Sequence, residues 1–135
     1  MLPSFETKIL LAILALIAAA QPAFAGAEAG TAAVTPVREA AARYGQALGA
    51  VEICFGAKIT PKAEQLSKSY SGSDSEIFKK QAAKIFDAWI KVKGCVRQDD
   101  PNQCKIIMDK SCEAAEAEIG PTGSAIPGLV EFAKQ

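Results

Sequence analysis

The stretch CVRQDDPNQCKIIMDKSC, Cys95–Cys112, holds three of the chain's four cysteines and an Asp-Pro pair. Aspartate followed by proline is a helix-start signal: the carboxylate accepts from an orphan backbone N–H, and proline sits where no donor is needed. Gln103, three places after Asp100, completes the pattern of a capping box. A helix is therefore expected from Asp100-Pro101 to the break at Gly120-Pro121. Cys104 and Cys112 then stand about 12 Å apart along one rod. A disulfide spans roughly 7 Å between Cα atoms, so these two cannot pair, and their complement, Cys54 with Cys95, goes with them. A short polar turn joins this helix to the one before it, which makes the two antiparallel and sets Cys95 beside Cys104. Cys54 is left to reach Cys112. Chain-entropy estimates assign about 3 kcal/mol to the shorter loop and about 4 kcal/mol to the longer one.

The preceding segment, about Asp74 to Lys93, carries Phe78, Ala82, Ile85, Trp89 and Val92 on one stripe, widened by Ile77, Phe86 and Ile90. Ser73 and Glu76 are spaced as a capping box, and Gly94 fits the end, so this is the strongest amphipathic helix in the chain. Thr35-Pro36 opens an earlier helix with Val37, Ala41, Tyr44, Leu48, Val51 and Phe55 at helical spacing. Thr60-Pro61 opens a short one, with Ala63, Leu66 and Tyr70 on one side. Leu129, Val130 and Phe132 are expected to pack back on the helices from a closing loop or last helical turn. Period-two alternation is not sustained anywhere. The expected fold class is all-α: a small four-helix bundle, three helices long and one short, crosslinked by disulfides.

Residues 1–25 read as a secretory signal peptide. Lys8 precedes a twelve-residue apolar run, Ile9 to Ala20, followed by Pro22 and an Ala-x-Ala end at Ala23 and Ala25. The run is short of the roughly 20 residues that span hydrocarbon, so stable membrane insertion is not expected. Residues 26–34 read as a flexible leader, and residues 35–135 as a single helical domain. Export to the periplasm, or secretion, places all four cysteines (Cys54, Cys95, Cys104 and Cys112) where disulfides are the default. Their spacing lacks the Cys-x-x-Cys of thiol oxidoreductases and the close ligand pairs of zinc sites. No metal or other cofactor is implied.

The chain has no histidine, fifteen acidic and fifteen basic residues, and a formal net charge of zero. Missing histidine removes the commonest general base and metal ligand, and neutrality gives no argument for nucleic acid. The sequence therefore points to an exported binding or interaction module without catalytic activity, whose partner is a protein or a small apolar ligand. Candidate surfaces are a basic row on the outer side of the long helix, Lys80, Lys84 and Lys91, and a groove beside Gly45 and Gly49 with Trp89 near it. Each helical glycine costs roughly 1 kcal/mol against alanine, which close packing or a backbone-lined groove would offset. A carrier of a small apolar ligand held between helices is the alternative function. A hydrolase acting through Asp99, Glu113 and Glu116 is the lowest-ranked option, because Asp99-Asp100 and the glutamates of the last helix, Glu118 included, read first as caps and a solvated face.

Overall fold

Alanine and glycine decide how the helices meet. The computed structural model describes residues 34–95 and 100–134; the expected signal peptide, the leader up to residue 33 and Asp99 lie outside them. Everything described from Thr35 onward belongs to one compact unit. Helix α1, Val37–Ile53, starts one residue later than the Thr-Pro signal implies, with Pro36 in the cap position and Ala40 N–H donating to its carbonyl at 2.9 Å. Its buried face consists of Ala40, Ala41, Gly45, Gln46, Ala47, Gly49 and Ala50. Against that thin face lies α3, Gly72–Cys95, which α1 contacts more than it does any other element. A Cβ at Gly45 would come within 2.9 Å of Ile85 Cβ and overlap the Ala82 carbonyl, and one at Gly49 would overlap Trp89. The glycines thus set the approach of the two helices, and their helix-propensity cost is offset by that contact.

Helix α3 extends past both expected ends. It begins at Gly72, which adopts φ 58°, so Ser73 lies inside it, and it runs through Gly94 to Cys95. Gly94 is therefore a helical residue rather than a stop. Helix α2, Pro61–Ser67, is capped by Thr60, whose Oγ1 accepts from Ala63 N–H at 3.4 Å. Helix α4, Pro101–Ile119, is capped by Asp100, which accepts from Asn102 N–H at 2.9 Å, and ends at Gly120.

One element departs from an all-helical reading. β1, Lys58–Ile59, pairs antiparallel with β2, Val130–Glu131, in the register Lys58 to Glu131 and Ile59 to Val130. The tail forms this strand and not a helical turn because its anchors are extended-chain anchors. Leu129 and Val130 are fully buried, while Thr60 N–H donates to the Leu129 carbonyl at 3.1 Å and Thr60 Oγ1 to the Gly128 carbonyl at 2.6 Å. The described structure is thus mostly helical, with four helices and one two-residue strand pair. No helix among the described residues is long and apolar enough to cross a membrane.

Two disulfides close the fold. Cys54 is bonded to Cys112 with Cα atoms 5.6 Å apart, and Cys95 to Cys104 with Cα atoms 5.7 Å apart, the pairing for which helix spacing argues. Around the first gathers a core of Ala47, Ala50, Ala57, Ala63, Ala115, Ile119, Ile126, Leu129 and Val130; a smaller one holds Ala40, Ala41, Phe78 and Ala82. Most of these side chains are single methyl groups, so each removes little apolar area from water. Glu118, expected on a solvated face, instead ties α4 to α1: it accepts from Arg43 Nη1 at 2.7 Å and from Gln46 Nε2 at 2.6 Å. Two of α1's apolar positions also depart from their stripe. Val51 is 39% exposed on the helix itself, and Phe55 is 93% exposed beyond its end, where the chain turns away at Cys54.

The glycine contrast is measurable. Gly49→Ala should lower stability by about 1–3 kcal/mol through overpacking against Trp89, despite alanine's better propensity. Gly94→Ala, with nothing within 4 Å of an added Cβ, should raise it by about 0.5–1 kcal/mol. Urea denaturation of the oxidised variants checks both signs.

Tyr70 supplies a pH test. Its hydroxyl donates to the Thr35 carbonyl at 2.5 Å and its ring stacks on Phe78 with centroids 5.3 Å apart. Burial first, and the Asp74 charge second, hold its phenol above the ordinary tyrosine value of 10.0. The neutral form is therefore favoured by folding. The resulting stability is complete below pH 10.0 and is lost as pH rises through the folded value. Urea titrations above that pH should show a steeper decline for wild type than for Tyr70→Phe.

Candidate functional site

At the end of α1 the chain leaves the helix in four residues. Cys54 is extended, held to α4 by its disulfide, and its carbonyl accepts from Ala57 N–H at 3.2 Å. Gly56 follows with φ 68°, a left-handed conformation that favours glycine, and a Cβ there would overlap that of Ala133. The tail therefore lies directly against the turn. Between these two fixed points sits Phe55, its side chain in solvent.

Phe55 stands at the rim of a half-open cleft of about 880 Å³. The end of α1 contributes Ile53, Cys54 and Phe55; α4 contributes Met108, Asp109, Cys112, Glu113 and Glu116; Pro121 and the tail residues Phe132, Ala133 and Lys134 complete the lining. Ile53, Met108, Cys112 and Phe132 are half-buried and line the cleft together with Phe55. One wall is acidic. Asp109, Glu113 and Glu116 are exposed and spaced four and three residues apart, hence on one side of α4. Asp109 accepts from Lys105 Nζ at 2.6 Å, a bond that, followed by the carboxylate's charge, holds the Lys105 ammonium above its ordinary value. Glu113 and Glu116 make no ion pair with any described residue.

The residues singled out from sequence do not converge. Gly45 and Gly49 are buried, and the space beside them is filled by Ala82, Ile85 and Trp89; that flank of α1 is covered by α3. Lys80, Lys84 and Lys91 are exposed on α3, but Glu76 and Asp87, also exposed, fall in the same helical row. Of the carboxylates considered for catalysis, Glu113 and Glu116 lie in the cleft wall, and Asp99 is outside the described residues. Among the described residues no group of three or more cysteines and carboxylates is placed to hold a metal ion. Comparison with protein-family models, curated proteins and solved structures finds no match.

Sequence reasoning missed Phe55, because its spacing from Val51 continues the stripe of α1. The signal lay one residue further on: Gly56, which permits the left-handed turn that ends the stripe.

Proposed function

We propose that this protein is an exported binding module without catalytic activity, acting in the periplasm or outside the cell, and that the cleft beside Phe55 is where it engages its partner. The observation that carries the reading is Phe55. Covering a phenylalanine side chain removes roughly 1.5–3 kcal/mol of unfavourable exposure, and here the side chain is presented by a turn held at the Cys54–Cys112 bond and packed by the tail. A backbone fixed before binding loses little conformational entropy on contact, which lowers the cost of using its aromatic side chain as an interface anchor. Ile53, Met108 and Phe132 line the same cleft, so Phe55 is not an isolated apolar side chain.

Export is supported by the sequence of residues 1–25 and agrees with two disulfides, which persist in oxidising compartments. The absence of histidine and the exposed setting of Glu113 and Glu116 favour attraction of a partner over acid–base chemistry, which works best with a carboxyl group shielded from water.

The neutral apolar dye Nile red probes the cleft without regard to charge. Oxidised wild-type protein should bind it at a single site, and Phe55→Ser should weaken binding about tenfold, equivalent to 1.4 kcal/mol, while leaving the melting temperature unchanged. Undiminished binding in Phe55→Ser, or turnover of ester, peptide or glycan substrates by purified protein, contradicts the proposal.

A further inference from the structure

The acidic wall says what kind of partner the cleft takes. Asp109 and Glu113 are four residues apart and Glu113 and Glu116 three, spacings at which like charges weaken a helix instead of supporting it. The row runs about 10 Å along α4, and only Asp109 has a cation of its own, Lys105. Among the described residues, Lys134 is the single basic one in the cleft lining. Net negative charge in a cleft that is also lined by Phe55, Met108 and Phe132 matches a ligand with both cationic and apolar side chains.

Resting on the binding reading above, we infer that the cleft takes a basic, apolar segment of a partner protein. Its lysine or arginine side chains lie along Asp109, Glu113 and Glu116, and its apolar side chains cover Phe55, Met108 and Phe132. The apolar contacts hold the segment, and the carboxylates select its charge and speed its approach.

The test uses three short peptides of one design: leucine and alanine interspersed with lysine, with glutamate in place of lysine, and with glutamine in place of lysine. Calorimetry measures affinity for the oxidised protein at low and high salt, and NMR shift mapping locates binding. The lysine peptide should bind at the cleft, at least about tenfold more tightly than the other two. That preference should shrink in salt, which screens exposed charges. The combined variant Asp109→Asn, Glu113→Gln and Glu116→Gln should lose the preference for lysine while still binding Nile red. Equal cleft binding of all three peptides overturns the charge selection while leaving the binding reading intact. Failure of both peptides and Nile red to perturb the cleft overturns both. Self-association that fills the cleft without peptide makes a second copy the occupant and overturns the inference.

Discussion

The Cys54–Cys112 disulfide is the constraint on which the rest of the structure depends. It stands where α1 ends, joins that end to the middle of α4, and anchors the turn against which the tail lies. The larger core gathers around it. That core is rich in alanine, with Ile119, Leu129 and Val130 its largest fully buried side chains. Small side chains let the helices approach closely but bury little area per residue, and in a small domain the hydrophobic gain barely exceeds the entropy of ordering the chain. A crosslink that restricts the unfolded ensemble by an amount comparable to a small domain's net stability then decides whether the chain stays folded. Alanine in the helix interfaces and cysteine at their ends are two parts of one solution.

Much of this was legible in the residues. Thr60-Pro61 and Asp100-Pro101 mark helix starts because their chemistry is local: an oxygen to accept an orphan N–H and a proline where no donor is needed. The disulfide pairing follows from two constraints: a rigid helix keeps Cys104 and Cys112 apart, and the short turn between antiparallel helices sets Cys95 beside Cys104. The misread features depend on contacts distant in sequence. Gly94 resembles a helix stop, yet the helix continues one residue further, to the cysteine bonded to Cys104. Glu118 resembles a solvated residue, yet Arg43 and Gln46 meet it from α1. Leu129 and Val130 are only an apolar pair until Thr60 supplies the hydrogen bonds that make the tail extended.

The candidate site was less legible than the fold, for a related reason. Helical periodicity places Phe55 with the buried residues of α1, but the helix ends at Ile53 and the turn through Gly56 leaves the side chain in solvent. The glycines attracted notice for their cost in a helix, and that cost is offset by Trp89 and Ile85 pressing on the backbone. What remains open to a partner is a surface assembled from the end of one helix, the outer side of another and the tail. No single segment carries it, and the crosslink brings its parts together.

If the crosslinked turn presents Phe55 as a fixed anchor, its backbone is as rigid as the helix before it. Backbone 15N relaxation of the oxidised protein at residues 54–57 should then give order parameters equal to those within α1, about 0.85. Values below about 0.6 at Phe55 and Gly56 would mean a flexible turn and would contradict a fixed anchor.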